Sequence, residues 1–360
     1  MTPRYIVHIG PMKTASTYLQ QSLTAARHDL LQHGICYPQE FISESNKFMH
    51  MPIHHALARK RGEELRPQFE KLNAAGHKVI VLSCEHFIFL KPEAMRTLKD
   101  ITGAQDYQVV YTARRWSDRA SSLWNQALFM GSPDTLPEFY LSLLAGQAPK
   151  YYPKWMAEQG AAADLDYSIS WRLVEEVFGR AALRIFPYST IMDRGEDVFE
   201  AFCRDVLGLA QAPTTDLAGE RRWASMPTED QEILRVLNSM HLQAGGEEDG
   251  SVRALFMRRR KDLATDQLAA DMADQIARLE IDDNAVQFNA PFEAMQAYAD
   301  CVTGGDILFE RKAKQAKYVR PGYLLREGAL ETLRGFYNHL VAAGAETRRP
   351  KAERKRAAKA

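Results

Sequence analysis

Cysteine is scarce in this sequence: there are four in 360 residues, and none of Cys36, Cys84, Cys203 and Cys301 stands in a C-x-x-C pair. That excludes a zinc ribbon or a disulfide framework and fits a reducing compartment. Long apolar runs are missing too, with no stretch approaching the ~18 uninterrupted apolar residues of a bilayer-spanning helix. The opening MTPRYIVHIG has no basic segment followed by an apolar one, so no secretory signal is expected and a cytoplasmic location is the default. Nor does charge of one sign dominate, because 46 basic and 46 acidic residues leave a net charge of zero. General nucleic-acid binding is therefore not expected. No internal repeat is visible.

What is present is globular in kind: 46% hydrophobic and 26% charged residues. At ~150 residues per domain the length suggests two units, or one large α/β domain with an appendage. Short β-branched or apolar runs at 5–9, 78–84, 107–112 and 183–186 read as strands. Helical spacing marks 17–31, 92–98, 116–129 and 171–178. Strands alternating with helices imply a parallel sheet covered by helices on both faces. From about residue 215 the pattern turns mostly helical. Thr228 with Gln231 gives a capping-box signature, GGEEDG at 245–250 marks a turn, and 251–280 reads as a long charged helical stretch. The last thirteen residues hold seven Lys or Arg and one Glu, which predicts a disordered tail. The expected division is an α/β core over 1–212, a helical region over 213–345 completing an acceptor cleft, and a basic tail over 346–360.

The segment HIGPMKTASTYLQ is the most informative. A buried strand closes at Gly10, a short turn carries Met12 and Lys13, and a helix opens around Thr14 to Thr17. Backbone N–H groups at such a turn, together with the positive end of the helix dipole, attract an anion. Lys13 adds a full charge, while Thr14, Ser16 and Thr17 add hydroxyl donors. A phosphate or phosphosulfate suits that set. An ordinary capped strand–turn–helix with an exposed lysine explains the same residues. The nucleotide-kinase loop needs G-x-x-x-x-G-K-[ST], and here only Gly10 precedes Lys13.

A second segment, VVYTARRWSDRASSLWNQ, places Arg114 just past a strand end, where open α/β sheets hold their ligands. Ser122 follows eight residues later, on a helix face shared with Asp118 and Gln126. A solvated polar helix face is the plainer explanation of that pattern. Glu85 and His86 follow the strand at 78–84, at the same sheet edge. His50, His54 and His55 suit a metal site only if helical, which Pro52 opposes, and no nearby acidic residue or cysteine completes a set. No metal is expected.

The run Lys13, Thr14, Ala15, Ser16, Thr17, Tyr18 resembles the 5′-phosphosulfate loop of the PAPS-dependent sulfotransferases, K-x-G-[ST]-T. Ala15 stands where that family usually has glycine, so a left-handed backbone there carries strain of roughly 1 kcal/mol. Arg114 and Ser122 resemble the family's 3′-phosphate motif in residue type and spacing. LDYSISWRLVEEVFGRAALRIFPYS is similar to a further stretch, and the likeness spans about 4–210. It implies a P-loop-like α/β core that binds 3′-phosphoadenosine 5′-phosphosulfate (PAPS) through Gly10, Met12, Lys13 to Tyr18, Arg114 and Ser122. It further implies Lys13 on the leaving phosphate and Glu85 as the base, as in carbohydrate sulfotransferases; His86 is the alternative, as in the small-molecule branch. The acceptor is then a hydroxyl of a carbohydrate, glycolipid or small molecule, met by loops at 43–60, 129–155 and parts of 285–325. Two rival functions remain at this point. One is an ATP-dependent kinase with Thr14 on Mg²⁺, and the other is a non-catalytic nucleotide-binding protein.

Overall fold

The computed structural model describes residues 2–42, 48–147, 165–217, 226–262, 265–305 and 308–348. The basic tail beyond 348 and parts of the expected acceptor loops, at 43–47 and 148–155, lie outside the described residues.

The chain forms two compact units. The first comprises Met1–Arg119, Gly146–Arg222 and Asp282–Lys312. At its centre is a five-stranded sheet ordered β2-β3-β1-β4-β5, from β1 (Arg4–Ile9), β2 (Ile35–Cys36), β3 (Val79–Ser83), β4 (Tyr107–Ala113) and β5 (Leu183–Pro187). Every pairing is parallel, as the alternation of strands and helices requires. The strands are apolar along their length because helices cover both faces. On one face Ile6, Val81, Val110 and Phe186 pack with Leu19, Leu23 and Leu30 from α1 (Ser16–Ala25) and α2 (Arg27–Gln32) and with Phe202. On the other, Tyr5 meets Phe69 of α4 (Arg66–Ala74), and Tyr111 meets Trp171 of the helix Ser168–Phe178. β1 lies between β3 and β4, so the strand order reverses beside it and opens a crevice at the carboxyl edge.

Late in the chain, Asp282–Lys312 returns to this first unit. There Phe288 stacks on Trp116 with ring centroids 4.5 Å apart. Asp283 accepts hydrogen bonds from the Ser117 N–H and hydroxyl, each at 2.7 Å. A single cut near residue 212 therefore does not separate the units.

The second unit comprises Ala120–Ala145, Trp223–Ile281 and Ala313–Ala360. It packs helices with a two-stranded sheet, β6 (Ile276–Asp282) and β7 (Ala313–Val319). The stretch 251–280 is thus not one helix: Ser251–Arg259 and Thr265–Ala273 are helical, and β6 follows. Alternation of Ala277, Leu279 and Ile281 with charged neighbours, hidden within a helical-looking composition, carries that strand. The capping box expected at Thr228 does not form. Pro227 occupies the cap position, and the Gln231 amide donates to the Met226 carbonyl at 2.7 Å. A complete box closes instead on α7 (Leu136–Leu144), where Thr135 and Glu138 exchange hydrogen bonds. Among the described residues no helix is long and apolar enough to cross a membrane.

Candidate functional site

Three chain segments leave the carboxyl edge of the sheet beside the crevice: Gly10 onward from β1, Glu85 onward from β3, and Arg114 from β4. Just beneath them His8 bridges the strands, with Nδ1 2.7 Å from Ser83 Oγ and Nε2 2.8 Å from Thr112 Oγ1. Burial pushes this imidazole down to about 4, so it is neutral at physiological pH. The Gln20 amide also donates to Ser83 Oγ, at 3.2 Å. These bonds cross-link β1, β3, β4 and α1 beneath the three segments.

Gly10 passes tightly over β4, where a Cβ would lie 3.2 Å from the Thr112 main chain. The turn beyond it carries two non-glycine residues in the left-handed region, Lys13 (φ 70°) and Ala15 (φ 59°). Ala15 therefore bears the strain anticipated for an alanine at this position. Left-handed residues alternating with ordinary ones turn successive N–H groups toward one side, an arrangement that suits anions. Ala15 is also the N-cap of α1 and no side chain caps that helix, leaving its first-turn N–H groups facing the same region. Thr14 is committed internally, its hydroxyl donating to the Pro11 carbonyl at 2.8 Å and lying 3.2 Å from Ser16 Oγ. Tyr18 donates to Asp197 at 2.6 Å, tying α1 to the helix Val198–Asp205. Thr17 is half-buried in the first turn, and Met12 and Lys13 are half-buried in the loop.

Arg114 reaches this turn. Its guanidinium donates through Nη1 to the Lys13 carbonyl and lies 5.2 Å from the Tyr188 ring centre. Its Nε is buried without a hydrogen-bond partner. A buried charged donor left unpaired is costly, so a ligand acceptor at that point satisfies the group. Arg115 is occupied elsewhere. It is buried and pairs with Asp193, with Asp118 at 3.7 Å and with Asp283 at 4.0 Å. Neighbouring arginines thus have separate roles, one facing the loop and one holding the unit together.

Glu85 opens the short turn Glu85–Phe89. Burial pushes its carboxyl above the usual carboxylate range, while the Lys13 ammonium and the Ser16 hydroxyl oppose the shift. The structure therefore brings Glu85, Lys13 and Ser16 together. His86 turns elsewhere, its ring 5.6 Å from His54 and 5.4 Å from Phe89. His54 and His55 lie on α3 (Met51–Ala58), with Pro52 in its first turn. His50 has both nitrogens occupied, Nδ1 accepting from the Ser83 N–H at 2.8 Å and Nε2 donating to the Pro38 carbonyl at 2.9 Å. Among the described residues no cluster of His, Cys, Asp and Glu is arranged to hold a metal.

Ser122 lies on α6 (Trp116–Phe129), the helix that follows Arg114, in its part that belongs to the second unit. Sequence reasoning missed Arg119, whose Nε donates to the Met12 carbonyl at 3.0 Å. It also missed Tyr167, which donates to the Arg114 carbonyl at 2.6 Å. Arg119 stands four residues beyond Arg115, at helical spacing, and that was its one local signal.

No protein-family model matches the sequence, and no curated protein sequence matches it. Among solved structures the chain is similar to the crystal structure of a sulfotransferase from Alicyclobacillus acidocaldarius, at 18% identity and a TM-score of 0.37, covering 68% of this chain and 95% of that one. A likeness of that depth assigns neither a family nor a reaction, and the functional reading rests on the residues themselves.

Proposed function

We propose that this chain is a PAPS-dependent sulfotransferase that moves a sulfuryl group to an acceptor hydroxyl. The single observation that carries the reading is the meeting of Arg114 with the Lys13 loop while its Nε stays buried and unpartnered. A guanidinium in that position suits a phosphate beside a second anion site. The uncapped start of α1, the left-handed turn and Lys13 suit the phosphosulfate end. Arg114 then takes the 3′-phosphate, with Ser122 assigned to the same group on sequence spacing alone.

PAPS supplies an activated sulfuryl group joined to a phosphate that leaves readily. Glu85 takes the proton of the acceptor hydroxyl, its carboxyl tuned upward by burial toward the pH at which a base works best. Lys13 and the N–H groups of the turn hold the negative charge that grows on the departing phosphate. The hydrogen bonds of His8 to Ser83 and Thr112 join the strands from which the site's segments leave. The products are a sulfate ester and adenosine 3′,5′-bisphosphate.

Calorimetric titration with adenosine 3′,5′-bisphosphate, and separately with ATP plus Mg²⁺, tests the reading. Tight, metal-independent binding of the bisphosphate is expected. Preference for ATP with Mg²⁺ points to a kinase and overturns the proposal. Binding of the bisphosphate without any sulfated product from a panel of hydroxyl acceptors points to a non-catalytic nucleotide-binding protein.

A further inference from the structure

The turn that Glu85 opens also borders a cavity of about 750 Å³ that the reaction scheme has not used. It is bounded by α3, the turn Gly62–Leu65, the turn Glu85–Phe89 and the first turns of α5 (Pro92–Thr102). Leu57, Phe89, Leu90 and Ala94 make its walls apolar. Its charged lining residues, Lys60, Lys91, Glu63 and Glu93, are all exposed, so they form the mouth, and their charges cancel. The inner polar groups are the imidazoles of His54 and His86 and the Thr97 hydroxyl, which donates to the Glu93 carbonyl at 3.0 Å. His54 Nδ1 is buried and has no hydrogen-bond partner.

Each feature narrows the occupant. The volume suits a molecule of several rings. Cancelling charges at the mouth give no preference for an anion or a cation. A glycan needs many hydrogen-bond partners along its length, and the apolar walls do not offer them. One unpaired imidazole nitrogen calls for a single polar group on the ligand. Burial, with His86 and His55 adding to it, pushes His54 down to about 4, so at neutral pH it meets that group as a neutral imidazole. His86 and Phe89, which line the cavity, belong to the same turn that Glu85 opens, so the cavity and the candidate base share one element.

We propose that this cavity is the acceptor pocket and that it takes a neutral, largely apolar, ring-containing alcohol, with His54 Nδ1 hydrogen-bonded to one of its polar groups. The pocket's role as acceptor site rests on the sulfotransferase reading; its occupancy by such a molecule does not.

The test uses the full chain, with 4-phenylphenol as the apolar alcohol and N-acetylglucosamine as the sugar, both titrated calorimetrically. Wild type is expected to bind 4-phenylphenol saturably at one site and to show no comparable affinity for the sugar. Ala94→Trp, which fills the cavity from α5, is expected to weaken that binding about tenfold or more. His54→Phe keeps a ring but removes the nitrogen and is expected to weaken it about fivefold. Adenosine 3′,5′-bisphosphate affinity should stay unchanged in both variants, which also shows that they fold. The proposal is overturned if 4-phenylphenol fails to bind a chain that binds the bisphosphate. It is equally overturned if Ala94→Trp leaves binding intact, or if the sugar is preferred. If 4-phenylphenol binds with the expected sensitivity but the bisphosphate does not bind, the cavity's ligand class stands and the sulfotransferase reading falls.

Discussion

The guanidinium of Arg114 donates to the main-chain carbonyl of Lys13, joining the end of β4 to the loop after β1 across 101 positions of sequence. This bond ties together two of the segments that border the candidate anion site. It also makes Arg114 the natural first target, because the same side chain holds the loop and offers a buried, unpaired Nε.

Arg114→Ala is expected to weaken adenosine 3′,5′-bisphosphate binding by roughly 10- to 150-fold, the loss of a charged hydrogen bond. Adenosine 5′-phosphate, which lacks the 3′-phosphate, should lose much less. Arg114→Lys should not restore the difference, since an ammonium lacks the planar fork. Equal losses for the two nucleotides in calorimetry would remove Arg114 from the 3′-phosphate site.

Glu85→Gln is expected to cut turnover by about 10²- to 10⁴-fold, the range of a general base, with bisphosphate affinity held within a few-fold. Burial raises this carboxyl and the Lys13 ammonium pulls it back. The wild-type rate should therefore rise with pH through a value above the usual carboxylate range. Lys13→Met removes the cation and should move that limb to higher pH, besides slowing the reaction. A rate profile that ignores both substitutions assigns proton removal to another group.

Ala15→Gly should stabilise the protein by about 1 kcal/mol, because alanine is held at φ 59° where glycine is unstrained. Urea denaturation reads the change directly. A loss of stability would mean that the backbone there relaxes at no cost, contrary to the observed turn.

Stability should fall on the acid side. His8 and His50 are buried, and burial pushes both from 6.5 down to about 4. The unfolded chain takes up their protons near 6.5, and the folded chain refuses them until about 4. Their contribution is thus fully present above the unfolded value and is lost as pH falls toward the folded one. Between about pH 7.5 and 5 each should remove about 2 kcal/mol of stability. His8→Gln should flatten part of that slope in denaturation curves; an unchanged slope would show that His8 is protonated in the folded protein.

The large sheet was legible because its strands are apolar runs bounded by turns, and two buried faces leave little choice of residue. β2, with only two residues, Ile35 and Cys36, is too short to show any period. The tight turn between β1 and α1 was legible in Gly10 and the hydroxyl run that opens the helix, since both signals are local. Sequence spacing also favoured Arg114 over Arg115; in the structure acidic partners from residues 118, 193 and 283 surround Arg115, which the spacing did not reveal. Asp118 is local, three residues on, but Asp193 and Asp283 come from distant segments and leave no local pattern. Thr228 misled because a capping box needs the threonine at the cap itself, and Pro227 holds that place. The opposing faces of His54 and His86 were invisible for the same reason as Arg115's partners, because α3 and the Glu85 turn meet only in the folded chain.

The return of residues 282–312 to the first unit has a practical consequence for anyone trimming the gene. A fragment stopping after residue 217 would keep every strand of the large sheet and look complete on a topology diagram. It would nevertheless strip the aromatic cover from the Trp116 indole and remove the carboxylate that Ser117 donates to. Such a truncation should come out of cells as insoluble material, and its failure would say nothing about whether the missing helices take part in chemistry.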